Sequence, residues 1–343
     1  MTLAPSHMRA EIAEIPEAVG RLLSTSADTL ERAGQALHGR KPSTIITIAR
    51  GSSDHAASFL KYAFELVAGI PVASVGPSIM SVYGRELKLD GCAAVAISQS
   101  GKSPDIVSMT QSARRNGALT ITLTNTAGSP LALAGDVAVD LAAGAEKSVA
   151  ATKSFVNSIV AGLAVLAHWK DDRSLLTALA ALPDQLQTAI HQDWSPLVDA
   201  LEGRRNLYVL GRGPVLAIAA EAALKFKETC GLHAEAYSSA EVLHGPARIA
   251  EAGFPVLALA VSDEAEAGVA EVADRLSAQG ATVLATTARA TAARVLPSVD
   301  TGHPLTEALA LIVSFYAFVE HLARQRGFDP DRPPHLRKVT ETI

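Results

Sequence analysis

With two cysteines in 343 residues, 4% aromatics and a net charge of −5, the chain excludes several classes of protein at once. Cys92 and Cys230 stand far apart with no CxxC spacing and no paired histidines, so neither a zinc site nor a disulfide framework is expected; both read as buried core thiols. A negative balance provides no broad basic field for nucleic acid or an anionic membrane surface, and any anionic ligand must be held by a local site. The few aromatics are scattered, which gives no stacking platform for single-stranded nucleic acid. No apolar run approaches the roughly 20 residues of a membrane helix, and residues 1–10 lack a charged-then-apolar leader layout. The expectation is a cytoplasmic protein without metal or cofactor. What is abundant is apolar residue, 48% against 19% charged, in a chain long enough for two domains with proper cores.

The chain states one pattern twice. Thr44-Ile-Ile-Thr-Ile-Ala-Arg-Gly51 and Asn206-Leu-Tyr-Val-Leu-Gly-Arg-Gly213 each lead into an Ala-rich helical stretch, with their terminal glycines 162 residues apart. Downstream, the turn glycines of Arg115-Asn-Gly-Ala-Leu-Thr-Ile-Thr-Leu-Thr124 and Ala278-Gln-Gly-Ala-Thr-Val-Leu-Ala-Thr-Thr287 lie 163 apart. So constant an offset signals duplication. Strands are predicted at Ile45–Ile48, Val72–Val75, Ala93–Ile97, Thr120–Leu123 and Val137–Leu141, then at Leu207–Leu210, Val256–Leu259 and Val283–Thr286. Helices are predicted over Glu11–Leu37 (interrupted near Pro16 and at Ser24–Ser26), Ser53–Val67, Pro104–Arg115, Thr152–His168 and Pro304–Gln325, with a polar helical linker at Asp171–Ala200. This alternation implies parallel sheets covered on both faces, an α/β fold. The expected division is a helical segment 1–40, a first domain 41–195, a second domain 196–326 and a tail 327–343.

Only the first copy carries an obvious anion-binding turn. Arg50-Gly-Ser-Ser53 joins a strand to a helix, where backbone N–H groups and hydroxyls favour an anion, although serine there is also an ordinary N-cap. Ser98-Gln-Ser-Gly-Lys-Ser103 repeats the device after an interior strand, with Pro104 opening the next helix. Two such turns favour a single-phosphate pocket. Neither GxxxxGK[ST] nor a complete GxGxxG is present, so nucleotide binding has no support. The second copy has Val261-Ser-Asp-Glu-Ala265 opposite the second turn.

Together with Ala143-Gly-Ala-Glu-Lys-Ser-Val-Ala-Ala-Thr-Lys153, the run Glu221–Tyr237 and Glu241-Val-Leu-His-Gly-Pro246, the Ser98–Ser103 turn resembles the double sugar-isomerase (SIS) family. Within it the likeness is to the isomerase half of glutamine-dependent glucosamine-6-phosphate synthase, over about residues 10 to 343. The resemblance implies two tandem SIS domains, each a flavodoxin-like three-layer sandwich. It implies phosphate and sugar contacts from Ser52, Ser53, Ser98, Gln99, Ser100 and Ser103, with Glu146 and Val149 on a loop that closes over the sugar. Lys225 and Glu228, three apart on one helix face, would serve proton transfer between C1 and C2, although by themselves they read as a solvated pair. His244, in a non-repetitive turn, would open the sugar ring from the neighbouring subunit of a homodimer. Lys338 matches a tail lysine that contacts the open-chain sugar.

The synthase's glutaminase domain uses an N-terminal cysteine, and none precedes Cys92 here. The expected reaction is therefore the isomerase chemistry alone in the ammonia-releasing direction: glucosamine 6-phosphate plus water to fructose 6-phosphate plus ammonia. Alternatives are an aldose–ketose isomerase, a deglycase of a sugar-amine 6-phosphate, and a non-catalytic sugar-phosphate sensor. Lys225, Glu228 and His244 together favour an enzyme, and Glu11–Leu37 is too short and acidic for a DNA-binding helix-turn-helix. Where the synthase pattern has Cys, Glu and Ser, this chain has Arg50, Lys102 and Ala151. The first two are expected to add positive charge near the phosphate, and the third removes a hydroxyl from the sugar loop.

Overall fold

Runs such as Thr44-Ile-Ile-Thr-Ile48 bury nearly every side chain, as a strand covered on both faces must. The computed structural model describes residues 5–338. The chain begins with α1 (His7–Ala13), α2 (Ile15–Thr25) and α3 (Ala27–Arg40). There follow β1 (Thr44–Ile48), α4 (Ser52–Ala68), β2 (Val72–Ser74), α5 (Ser78–Ser81), β3 (Cys92–Ser98), α6 (Pro104–Arg115), β4 (Leu119–Thr124), α7 (Pro130–Ala134) and β5 (Val137–Asp140). Next come α8 (Lys153–Lys170), α9 (Arg173–Ala189) and α10 (Ser195–Ala200). The second half holds β6 (Asn206–Gly211), α11 (Pro214–Cys230), β7 (His233–Ser238), two short 3-10 turns (Glu241–His244 and Pro246–Ile249), β8 (Pro255–Ala258), α12 (Glu266–Ala278), β9 (Thr282–Ala285), β10 (Arg294–Val295) and α13 (Pro304–Gln325).

Both sheets are parallel and share one topology. The first has the order β2-β1-β3-β4-β5 and the second β7-β6-β8-β9-β10. The duplication extends to backbone angles: Gly51 and Gly213, at the starts of α4 and α11, have φ and ψ of 56° and −136° and of 57° and −135°. A side chain would be strained at both positions. Gly117 and Gly280 likewise match, with φ of 89° and 97°.

Residues 14–146, 151–183 and 337–338 group into one compact unit, the N-terminal unit, and residues 5–13, 147–150 and 184–336 into the other, the C-terminal unit. This grouping differs from the boundaries expected at 40, 195 and 326. In the C-terminal unit, Met8 and Ile12 of α1 are fully buried, and Asp331 accepts hydrogen bonds from His7 N and Met8 N at 2.6 and 2.8 Å, capping the helix. The segment read as a polar linker is amphipathic instead. Leu175, Leu179, Leu182 and Leu186 of α9 are buried at helical spacing, and the division falls at Pro183, inside the helix.

The N-terminal core gathers Ile46, Ile48, Leu89, Met109 and Leu131, and α8 packs on α3 and α4. The C-terminal core centres on Tyr208, Leu210, Val256, Leu276 and Val283, with Phe226 of α11 edge-on to Phe315 of α13 at 5.0 Å. By length and composition α13 could cross a membrane, contrary to the expectation of no such run; 94% of its apolar window is buried, as in a core helix. Cys230 is buried, but Cys92 opens β3 and is only half-buried, because strand ends lie at the margin of the core. The strand β7 escaped the sequence reading because it forms an edge of its sheet. His-Ala-Glu-Ala-Tyr-Ser is too polar there to look like a buried run.

Candidate active site

The order β2-β1-β3 reverses between β1 and β3, and ligands of open parallel sheets bind beyond the carboxyl ends of strands at such a switch point. Both hydroxyl-rich turns lie there. β1 runs through Gly51 into Ser52 and Ser53, half-buried in the first turn of α4. β3 ends on Ser98, 8% exposed, and continues through half-buried Gln99 and Ser100 to Ser103, the residue preceding α6. Ser98 Oγ accepts from Gly101 N at 3.3 Å, and Ser100 Oγ from Lys102 N at 3.3 Å, which shapes the turn. Gly101, at φ 63°, is pressed so closely that a Cβ would lie 2.7 Å from Thr124 Oγ1 and closer still to Ser129 Oγ. Only glycine fits.

Arg50 does not add free positive charge to these turns, as the sequence suggested. Its guanidinium pairs with Asp105, whose side chain is fully buried in the first turn of α6. Burying that carboxylate without a partner would be costly, so the pairing links the two turns structurally. Lys102 is exposed.

Glu146, expected to contact sugar, has a carboxylate already occupied. Oε1 accepts from Thr152 N (3.0 Å) and Ser154 N (3.1 Å); Oε2 accepts from Ser154 Oγ (2.7 Å) and Lys338 Nζ (2.9 Å). Four donors fill the lone-pair sites of one carboxylate. Burial alone would raise its pKa, but the Lys338 charge and the Thr152 and Ser154 bonds hold it below the ordinary carboxylate value. Glu146 thus caps α8 and holds the tail lysine. Lys153, fully buried, pins the same loop through Glu14 (2.5 Å) and Ala145 O (2.8 Å).

In the C-terminal unit, Lys225 and Glu228 are not a solvated pair. Lys225 is completely buried, with Nζ 3.1 Å from Glu221 and 2.6 Å from Glu228, and Tyr316 Oη donates to Glu221 at 3.2 Å. Burial disfavours the ammonium, but Glu221 and then Glu228 more than reverse this and hold it well above the ordinary lysine value. Such a lysine stays charged and orients Glu228; it is a poor proton donor. Glu228, with 19% of its side chain exposed, is the member that solvent can reach. His244 is exposed at the end of a 3-10 turn, a repetitive if short element. Val149 is half-buried. Glu221 was legible as the residue four before Lys225, whereas Tyr316, Asp105 and Lys153 left no signal of their partnerships. A cavity of about 760 Å³ near Arg9, Trp194 and His321 contains none of the candidate residues. Among the described residues no group of three or more His, Cys, Asp or Glu is arranged to hold a metal.

The chain is similar to a glutamine–fructose-6-phosphate aminotransferase (isomerizing) of Aeropyrum pernix, 33% identical over 98% of this chain and 57% of the relative's length. A solved structure from Silicibacter pomeroyi DSS-3, provisionally named a phosphosugar isomerase, is 56% identical, with a TM-score of 0.93, covering 95% of this chain and 100% of its own. The C-terminal domain of glucosamine-fructose-6-phosphate aminotransferase from Francisella tularensis follows at 25% identity and TM-score 0.83, covering 96% and 99%. The SIS domain model matches residues 40–168 and 200–294, one match on each of the duplicated sheets. With both copies matched over more than half its length, the chain belongs to the SIS domain family.

Proposed function

We propose that the chain is a phosphosugar-transforming enzyme of the SIS type that converts glucosamine 6-phosphate and water to fructose 6-phosphate and ammonia. It spans 57% of its Aeropyrum relative, so the glutamine-dependent activity of that protein is not carried over, and the isomerase chemistry is taken by itself. The observation that carries the reading is Glu228: a solvent-reachable carboxylate clamped at 2.6 Å by a wholly buried ammonium, the arrangement a returning base requires. The paired hydroxyl turns at the β1–β3 switch point support a phosphate anchor.

In this mechanism the phosphate rests on Ser52, Ser53, Ser98, Gln99, Ser100 and Ser103. His244 of the partner subunit of a homodimer opens the sugar ring by moving a proton between the anomeric hydroxyl and the ring oxygen. Glu228 removes the C2 proton of the open-chain amino aldose, giving an enolamine, and returns a proton to C1. The product is a C2 imine with a hydroxymethyl C1. Water adds to C2, the C–N bond breaks, and ammonia leaves with fructose 6-phosphate. Lys225 holds Glu228 in place. Val149 borders the sugar loop, and Lys338, released from Glu146, contacts the open chain.

The test is ammonia release by purified protein from a panel of hexosamine 6-phosphates without glutamine. Ammonia from glucosamine 6-phosphate is expected. Aldose–ketose interconversion without ammonia would move the reading to an isomerase, and binding without turnover would move it to a sensor.

A further inference from the structure

The C-terminal unit repeats the switch point of the N-terminal unit, between β6 and β8, yet its turn is already filled. The strands leading into the two turns, β3 and β8, pair with β1 and β6 in registers 162 residues apart, which makes Ser262 the counterpart of Ser100. Its backbone N donates to Glu307 Oε2 at 2.7 Å and its Oγ to Glu307 Oε1 at 3.2 Å, a two-donor grip on a carboxylate. Glu307 is the fourth residue of α13, the helix that follows the last strand of its sheet; the fourth residue of α8, in the same relation to the first sheet, is the apolar Val156. One copy thus presents an internal carboxylate where the other presents none. Next to Glu307 lies a cavity of about 200 Å³ lined by Ser262, Thr286, Thr287, Ser298 and Glu266. Glu266 is itself engaged by Arg289 Nε and Thr287 Oγ1, both at 2.7 Å.

We propose that the turn Val261–Ala265 is a second oxyanion site, masked by Glu307, whose carboxylate is the resident anion and excludes phosphate-bearing ligands. This rests on the reading of the Ser98–Ser103 turn as the phosphate site of the first copy. Glu307 is 7% exposed, and burial raises its pKa, with Asp300 and Glu266 adding repulsion against the Ser262 bonds. A carboxylate kept in such surroundings is consistent with a specific task. Here the task is to leave each chain one phosphate anchor.

The test counts inorganic phosphate ions bound per chain by calorimetry in wild type, Glu307→Ala and the Ser98→Ala/Glu307→Ala double variant, with circular dichroism confirming the fold. Wild type should bind one phosphate, Glu307→Ala two, and the double variant should keep the new one. Glu307→Gln preserves an acceptor for Ser262 while removing the charge, and it should also gain a second, weaker phosphate if Glu307→Ala fails to fold. One phosphate in wild type and in every folded Glu307 variant overturns the proposal, as does binding of two by wild type. No phosphate in wild type with one in Glu307→Ala would leave the masked site standing and refute the first-copy reading instead.

Discussion

At the scale of single residues, the decisive pair is Lys225 and Glu228, and burial separates their roles. Lys225 is wholly enclosed between Glu221 and Glu228, so its proton is held too tightly to be given up, while Glu228 keeps contact with solvent. Glu228→Gln retains shape and removes basicity. Turnover should fall by roughly 10²–10⁴ with substrate binding preserved. In deuterated water the wild type should place deuterium at C1 of the fructose 6-phosphate, and the variant should do so correspondingly more slowly; unimpaired ammonia release by Glu228→Gln would require another base. Lys225→Met has a different consequence. It leaves the fully buried Glu221 carboxylate without its cation, an uncompensated buried charge that costs about 3–5 kcal/mol. Urea unfolding should register that loss, and a change under about 1 kcal/mol would mean that the remaining partners of Glu221, Tyr316 among them, satisfy it.

At the scale of elements, the start of α8 depends on a residue outside the helix. Glu146 accepts from Thr152 N and Ser154 N and holds Lys338, so helix start and tail share one carboxylate. Its folded pKa lies below the ordinary value. The ionised group therefore contributes stability that is complete above the unfolded carboxylate range, near ~4.3, and is lost as pH falls through the lower folded value. Wild type should exceed Glu146→Gln in stability by about 1.5–3 kcal/mol at pH 7, the range for hydrogen bonds to a charged group. That margin should close at strongly acidic pH. Urea midpoints measured across pH check this, and a margin that grows on acidification would contradict the assignment.

At the scale of the whole molecule, the proposed dimer has a functional signature. If His244 serves the partner's site, mixing inactive Glu228→Gln chains with inactive His244→Ala chains should restore activity, because one site of each mixed dimer receives both intact groups. Mixtures that stay inactive after verified subunit exchange would show that each chain builds its own site.

The sequence by itself determined the duplication, the α/β class and most strands, because buried parallel strands must be continuous apolar runs and turn glycines must recur wherever the backbone needs positive φ. Gly51 and Gly213 announced their matching angles through a 162-residue spacing alone. The place of the Ser98–Ser103 turn, between a buried strand and a helix, was legible because Pro104 opens α6. Polar edges were not legible: β7 satisfies its pattern through one neighbouring strand rather than through hydrophobic periodicity. Only the tertiary structure decided how the charges are spent. Arg50 is committed to Asp105, Lys338 to Glu146, Lys225 to Glu221 as well as Glu228, and Ser262 to Glu307. Except for the residues three or four apart on α11, these partners are brought together by chain folding across tens or hundreds of positions, and burial sets the strength of each pairing. Composition and local spacing carry neither quantity.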